Sequence, residues 1–171
     1  MDTIQRRSKE KIIELEVYTD GSLKRAGKST YGAWGFIVVK DGHQIHAEHG
    51  VEHDTTNQRM ELMALVKALA YLAEHRPPNE RAVIYSDSAY IINCYQQEWY
   101  INWENNGWLT SSRKEVSNQD LWYHIVPYFD NFWYTFLKVP AHCGNYWNER
   151  CDELVQTEAE KLKREGRLTN V

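Results

Sequence analysis

The sequence of 171 residues contains no apolar run near the roughly 18 residues that a membrane-spanning helix needs. It also lacks an apolar stretch at its start, where charged residues such as Arg6, Arg7 and Lys9 stand. We therefore expect no signal peptide and no membrane partner. A cytoplasmic location follows as the simplest expectation.

Cysteine is scarce, with three residues, Cys94, Cys143 and Cys151, in a spacing that fits no disulfide scaffold. This excludes the small disulfide-stapled secreted domains and indicates a reducing compartment. A zinc site made of His142, Cys143 and Cys151 is disfavoured, because it contains no short ligand pair and no evident fourth ligand. We interpret Cys151 as a small core residue of the last helix.

Positive charge is also in deficit, since 20 basic residues face 24 acidic ones and the formal net charge is −4. Domains that bind nucleic acid tend to be basic, so this balance counts against such a partner. Bound metal would, however, neutralise several of the acidic residues. Phosphate binding depends on where charges lie, not on their sum.

The length indicates a single domain of the α/β class. We predict a flexible amino-terminal tail over residues 1–11, one folded domain over residues 12–164 and a carboxy-terminal tail over residues 165–171. Period-two patterns predict three opening strands, with a hairpin turn at Asp41 and Gly42. Thr55 with Gln58 fits a capping box at the start of a helix that ends before Pro77.

The remaining segments complete the order β-β-β-α-β-α-α-β-α. The predicted strands cover residues 11–19, 31–40, 43–52, 81–86 and 132–139. The predicted helices cover residues 55–76, 88–99, 121–129 and 147–164. The stretch between residues 99 and 120 is polar and aromatic, with Gly107 in its middle, and no helix or strand is predicted there.

Four carboxylates stand where a predicted strand ends or a helix faces the core: Asp20, Glu61, Asp87 and Asp152. A buried carboxylate is neutralised, paired or bound to a metal ion. Oxygen ligands without a thiolate favour Mg²⁺ or Mn²⁺, and a site of several carboxylates suits two-metal phosphoryl chemistry. Helix capping would explain any one of these residues, but it does not explain all four.

Four motifs in this order resemble those of type 1 ribonuclease H (ribonuclease HI), and the resemblance covers about residues 12–156. They are Tyr-Thr-Asp-Gly-Ser at 18–22, Thr-Asn-Gln-Arg-Met-Glu-Leu at 56–62, Ser-Asp-Ser at 86–88 and Asn-Glu-Arg-Cys-Asp-Glu-Leu at 148–154. The resemblance implies a ribonuclease H-like fold, a mixed five-stranded sheet flanked by helices. The four carboxylates can converge only if the first and fourth strands are neighbours in that sheet.

By this resemblance, Asp20, Glu61, Asp87 and Asp152 bind two Mg²⁺ ions roughly 4 Å apart, with Mn²⁺ as a substitute. The implied reaction is endonucleolytic hydrolysis of the RNA strand of an RNA/DNA hybrid, by in-line attack of water. It leaves 5′-phosphate and 3′-hydroxyl ends. His142 stands where the family carries a catalytic-loop histidine, and an imidazole there would shuttle a proton or help product release.

The resemblance also implies substrate contacts. Asn57 and Gln58 stand where the family uses amides against the minor groove, and a 2′-hydroxyl is the group that distinguishes RNA from DNA. Thr56, at the same helix start, would assist a backbone phosphate together with free N–H groups. The alternative role of this segment is helix capping by Thr55 and Gln58, and both roles can hold, because capping positions the amides.

The segment with Trp99, Trp103 and Trp108, followed by Arg113 and Lys114, resembles the substrate-binding protrusion of many bacterial members. Aromatic faces there would lie against sugars and cations against phosphates. A core role for Trp103 and Trp108 is an equal alternative.

Two other classes share part of this pattern. A hybrid-binding module without catalysis would not need the full set of four carboxylates. A polynucleotidyl transferase of the integrase kind would share the acidic cluster, but it does not explain the amides before Glu61. The family resemblance suggests a monomer without an obligate protein partner.

Overall fold

The computed structural model describes residues 13–139 and 145–169, which form a mixed five-stranded sheet with helices on both faces. The strands are β1 (Ile13–Ala26), β2 (Ser29–Lys40), β3 (His43–His53), β4 (Glu80–Ser86) and β5 (Tyr134–Lys138). The helices are α1 (Asn57–His75), α2 (Ala89–Gln96), α3 (Trp99–Asn105), α4 (Gln119–Ile125) and α5 (Tyr146–Thr169), and a 3₁₀ turn (Val126–Tyr128) follows α4.

The strand order is β3-β2-β1-β4-β5. The first three strands pair antiparallel, whereas β4 is parallel to both β1 and β5. This confirms the ribonuclease H-like fold expected from the sequence, including the neighbouring first and fourth strands. The parallel pairing brings the carboxyl end of β4 beside the middle of β1.

The hairpin turn between β2 and β3 lies at Asp41 and Gly42, as the sequence predicts. Both residues have positive φ, 51° and 76°. Two successive residues in this region form the turn type that matches the twist of antiparallel strands.

The main core lies between the sheet and helices α1 to α4. Apolar side chains of β1, β2 and β4 alternate toward this side, including Val17, Phe36 and Ile84. Trp122 of α4 is fully buried there, among the rings of Trp103 and Phe129. Helix α5 covers the opposite face of β1 and β2. The carboxyl end of β4 and the adjoining middle part of β1 lie between these two layers of helices.

The first strand is longer than predicted. The sequence places its end at Asp20-Gly21-Ser22, but β1 continues to Ala26 and stays paired with β2 as far as Ser29. Ser22 is buried, so the alternation of buried and less buried side chains along β1 continues past the Gly21-Ser22 pair, where the strand was expected to end. Asp20 therefore lies within a strand and not at its end.

The cap of α1 also differs from the prediction. Thr56, not Thr55, is the N-cap, and its Oγ1 accepts a hydrogen bond from the Arg59 amide at 3.1 Å. Thr55 is buried, and its amide donates to Thr30 Oγ1 at 2.9 Å. The capping-box assignment is thus wrong by one residue, because Thr55 is held by the sheet.

The region after β4 contains one more helix than predicted. A single helix was expected over residues 88–99, but α2 ends at Gln96 and α3 starts at Trp99, with Glu98 in the left-handed region (φ 57°) between them. The helical stretch expected over residues 121–129 is α4 plus the 3₁₀ turn at Pro127. The last strand is shorter than residues 132–139, and α5 runs to Thr169, into the segment predicted as a tail.

Within the described ranges, none of the helices combines the length and the apolarity that crossing a bilayer requires.

Candidate active site

The fold brings together three of the predicted carboxylates, Asp20, Glu61 and Asp87. Asp20 lies on β1, Glu61 lies in the second turn of α1, and Asp87 directly follows β4. The parallel ladder of β1 and β4 ends at the pair Tyr18 and Tyr85, so the residue after β4 reaches the level of Asp20. We call these three residues the carboxylate cluster.

The carboxylate cluster is compact. One oxygen atom from each of the three side chains lies within 4.8 Å of the others. Asp20 and Glu61 are buried, with 3% and 7% of their surface exposed, whereas Asp87 is open to solvent. The arrangement therefore has a buried floor and an exposed side from which a ligand can approach.

Gly21 allows this close approach between β1 and α1. A Cβ atom at Gly21 would lie 2.5 Å from the Glu61 backbone nitrogen and 2.6 Å from the Met60 carbonyl carbon. No side chain fits at such distances to a helix backbone. The missing side chain lets α1 pack directly on the strand that carries Asp20, and the Gly21 amide donates to Asp20 Oδ1 at 2.8 Å.

Burial and mutual repulsion disfavour the charged forms of these carboxylates. Burial, followed by the charge of Asp87, raises the pKa of Asp20 to about 8. Burial and then the Asp20 charge raise the pKa of Glu61 well above its ordinary value. The pKa of Asp87 is also raised, first by burial and then by Asp152. Without a cation, this cluster of negative charges is electrostatically costly.

The cluster has the properties of a divalent metal site. Asp20 Oδ2 and Glu61 Oε2 are buried and have no hydrogen-bond partner among the described residues. Buried polar atoms are normally paired, so these two oxygens call for a ligand. The donors are all carboxylate oxygens, which suits Mg²⁺ or Mn²⁺ better than a softer metal.

Asp152 lies near the cluster but is not part of its tight group. It stands in the first turns of α5, one residue after the buried Cys151, and it is exposed. Its charge contributes to the raised pKa values of both Asp20 and Asp87, which places it close to both. It can therefore act as a more distant ligand at the open side of the site.

A cavity of about 570 Å³ opens beside the carboxylate cluster. We call it the main cavity. Its lining includes Asn57 and Gln58 from the start of α1, together with Glu61 and Asp87. The predicted amide pair and the carboxylates thus share one concave surface.

The remaining predicted substrate residues have different surroundings. Thr56 is exposed and caps α1 next to the amide pair. Arg113 and Lys114 are exposed in the segment that joins α3 and α4. Trp103 and Trp108, with 8% and 9% exposure, belong to the main core, and this burial favours the core role over extensive substrate contact.

Trp99 lies at the surface of the protein. It is half-buried and lines a second cavity of about 640 Å³ together with Asn102 and Asn106. The edge of Trp103 also reaches this cavity. Tyr90 and Thr110 border both cavities, so the two form neighbouring parts of one surface.

His142 and Cys143 lie outside the described residues, and the roles predicted for His142 remain predictions. Cys151 is fully buried, and its thiol donates to the carbonyls of Tyr18 and Gly35 at 3.5 Å. Burial raises the pKa of the Cys151 thiol well above its ordinary value, which fits a core cysteine.

Several residues of the main cavity were not expected from the sequence. Ser88, Tyr90, Thr110 and Ser117 complete its lining. Thr110 and Ser117 come from an irregular segment, where polar residues carry no periodic signal. Ser88 and Tyr90 come one and three residues after Asp87, and this closeness in the sequence was the only indication of their place in the cavity.

A compact carboxylate cluster on the central strands and first helix of an α/β fold is characteristic of metal-dependent enzymes that act on phosphate esters. The sequence matches the family model of RNase H over residues 13–160. It is similar to the Ribonuclease H of Syntrophomonas wolfei subsp. wolfei, with 41% identity over 149 residues that cover 87% of this chain and 98% of the relative. The chain belongs to the RNase H family of hydrolases.

Solved structures agree with this assignment. LC9-RNase H1, a type 1 RNase H with the type 2 active-site motif, superposes with a TM-score of 0.72 at 26% identity, over 88% of this chain and 74% of that chain. LC11-RNase H1 in complex with an RNA/DNA hybrid has a TM-score of 0.62 at 20% identity, over 86% of this chain and 97% of that chain. The second likeness concerns the fold alone.

Proposed function

We propose that this protein is an endoribonuclease that hydrolyses the RNA strand of RNA/DNA hybrids and leaves 5′-phosphate and 3′-hydroxyl ends. One observation carries the proposal: Glu61 and Asp87 of the carboxylate cluster line the same cavity as the amides of Asn57 and Gln58. The first group suits phosphoryl transfer, and the second suits recognition of a ribose. The hybrid bound to LC11-RNase H1, a protein of the same fold, adds support.

Asp20, Glu61, Asp87 and Asp152 would hold the metal, as two Mg²⁺ ions. Such ions, when bound, supply a nucleophile at neutral pH and neutralise the charge on the leaving oxygen. The protein contributes the shape of the site. The floor formed by Asp20 and Glu61 is closed to solvent, and the open side at Asp87 admits the phosphodiester.

Asn57 and Gln58 would select the ribonucleotide strand. An amide both donates and accepts hydrogen bonds, as does a 2′-hydroxyl, so the pair is matched to RNA and loses a partner with deoxyribose. The N-cap hydrogen bond of Thr56 fixes the start of α1 and therefore the direction of both amides. Arg113 and Lys114 would contact backbone phosphates of the hybrid.

We propose that the protein acts as a monomer. The carboxylate cluster and the amide pair come from a single chain, so the chemistry needs no second subunit. Size-exclusion chromatography with light scattering tests this, and a dimer at working concentration would contradict it.

The direct test is cleavage of a labelled RNA/DNA hybrid in Mg²⁺, beside duplex DNA and duplex RNA of the same sequence. We expect cleavage of the RNA strand of the hybrid alone, with 5′-phosphate products. Binding of the hybrid without cleavage would instead identify a non-catalytic hybrid-binding module. Cleavage of duplex DNA at an equal rate would contradict the role of the amides.

A further inference from the structure

Arg59 makes an unusual set of contacts two residues before Glu61, on the side of α1 that faces α4. Its Nη1 and Nη2 donate to the two carboxylate oxygens of Asp120 at 3.1 and 2.7 Å. The Nη1 atom also donates to Asn118 Oδ1 at 3.1 Å. Its Nε lies 3.5 Å from Glu52 Oε1 on β3. One side chain thus joins three separate parts of the fold.

These contacts lie at the edge of the main cavity. The segment between α3 and α4 (residues 106–118) contributes Thr110 and Ser117 to the cavity, and we call it the cavity loop. Asn57, Gln58 and Glu61 line the cavity from α1. Asn118, which binds Arg59, directly follows Ser117. The Arg59 contacts therefore connect the two sides of the cavity.

The geometry at Asp120 is specific to arginine. A planar guanidinium that donates two parallel hydrogen bonds to a carboxylate fixes both distance and orientation, which a lysine ammonium does not do. The hydrogen bond to Asp120 raises the pKa of Arg59, and the hydrogen bond from Arg59 lowers the pKa of Asp120. Both groups are therefore charged over the whole working pH range.

Stability alone is a weak explanation for this arrangement. The Asp120 side chain is 61% exposed, so solvent screens the ion pair and limits what even two parallel hydrogen bonds contribute to folding. Asn118 adopts the left-handed conformation (φ 60°), and its side chain makes no cap hydrogen bond to α4. The carbonyl of Asn118 accepts from the amides of Leu121 and Trp122. Holding Asn118 therefore also holds the first turn of α4.

We propose that Arg59 is a positioning residue, which sets the width of the main cavity by holding the start of α1 against the cavity loop and α4. The inference rests on the proposed function in one respect: the cavity so held is the one that receives the hybrid. Arg59 itself need not contact substrate or metal. Its loss changes the spacing between the amide pair and Thr110 and Ser117, and leaves the carboxylate cluster in place.

The test compares Arg59→Ala with wild type in steady-state cleavage of a hybrid. We expect KM to rise about tenfold while kcat stays within about twofold, because misplaced binding groups weaken association more than chemistry. Asp120→Ala should raise KM less, since the Asn118 contact persists. The effects of Arg59→Ala and Asp120→Ala should not add in the double variant, because both remove the same contact. Additive effects, or a fall in kcat at unchanged KM, would overturn the proposal.

Two further variants, a control and a charge-conserving substitution, are compared in the same assay. Arg81→Ala is the matched control, since this arginine lies over the Phe132 ring at the opposite end of β4 from Asp87, and its KM should match wild type. Arg59→Lys retains the charge but loses the paired hydrogen bonds, so it should also raise KM. It serves as the deciding variant if Arg59→Ala does not fold.

Hydrogen exchange gives a readout that does not depend on activity. In Arg59→Ala, exchange at the amides of Leu121 and Trp122 should accelerate, while in Arg81→Ala it should not. Unchanged exchange in Arg59→Ala would contradict the positioning role even if the enzyme cleaves hybrids normally. A wild-type protein that cleaves no hybrid would contradict the proposed function, and exchange would still decide the role of Arg59.

Discussion

The three side chains of the carboxylate cluster differ in burial and therefore in their roles at the site. Asp20 and Glu61 are buried and mutually repelling, so their charges are costly without a cation. Asp87 is exposed and faces the open side. The chemistry should therefore be lost on removal of any of these charges, whereas the fold should not be.

Asp87→Asn should reduce hybrid cleavage at least about a thousandfold, since loss of a carboxylate proposed to hold metal would remove several kcal/mol of transition-state stabilisation. Melting temperature in the absence of metal should stay equal or rise, because one source of repulsion with Asp20 disappears. The matched control is Asp41→Asn, which changes an exposed turn aspartate and should leave turnover intact. Near-normal activity of Asp87→Asn would contradict the assigned role.

The raised pKa of Asp20 predicts a pH dependence of stability in metal-free protein. The folded pKa of about 8 exceeds the ordinary value of 3.8, so proton binding favours the folded state. The contribution of protonated Asp20 to the free energy of unfolding should be fully present below pH 3.8. It should be lost as the pH rises toward about 8.

Denaturant unfolding with EDTA between these pH values measures this effect. Asp20→Asn, which cannot titrate, should lose less stability over the same range. An identical profile in both proteins would contradict the raised pKa of Asp20.

At the scale of elements, the contact between β1 and α1 controls the spacing of Asp20 and Glu61. Gly21→Ala would place a methyl group against the α1 backbone, which cannot yield as a side chain can. We expect a loss of about 1–3 kcal/mol in unfolding free energy and a strong loss of activity. Gly35→Ala is the control, because its Cβ would meet the Val155 and Leu154 side chains at 3.0 and 3.3 Å, which can adjust. Equal activity losses in the two variants would contradict this reasoning.

The cap of α1 is a second element-scale feature. Thr56→Ala removes the acceptor for the Arg59 amide and should cost about 1 kcal/mol of unfolding free energy. Thr56→Ser keeps the hydroxyl and should restore most of this loss. A Thr56→Ser variant as unstable as Thr56→Ala would show that the cap hydrogen bond is not the cause.

Elements with a strong local pattern could be predicted from the sequence. The hairpin at Asp41 and Gly42 and the apolar face of α1 follow from periodicity and turn chemistry. The neighbouring positions of β1 and β4 followed from the requirement that the carboxylates converge, together with the family resemblance. These features bring Asp20, Glu61 and Asp87 together, although Asp20 lies within β1 and not at the strand end that was predicted.

Other features depend on tertiary contacts, which the local sequence pattern does not indicate. The break between α2 and α3 relies on the positive φ of Glu98, a residue type that rarely adopts it. The burial of Trp103 and Trp108 depends on their packing with Trp122 and Tyr123, not on their own type. The contact of Arg59 with Asp120 joins residues from separate elements, so spacing alone gave no sign of it.

For the whole molecule, the distribution of charge matters more than the net charge of −4. If Arg113 and Lys114 each neutralise one phosphate, replacing both with alanine should reduce the slope of log KM against log salt by about 1.5–2. Replacing Lys161 and Arg164, on α5, is the control and should leave the slope unchanged. An unchanged slope in the first variant would mean that these cations lie away from the hybrid.

The parallel pairing of β1 with β4 has a consequence for protein synthesis. Asp20 leaves the ribosome early, but Asp87, which follows β4, is added only after β2, β3 and α1 have been synthesised. A nascent chain that ends before residue 87 lacks Asp87, one of the three residues of the carboxylate cluster. The three carboxylates can therefore meet only after about half of the chain has been synthesised, and Asp152 on α5 is added later still.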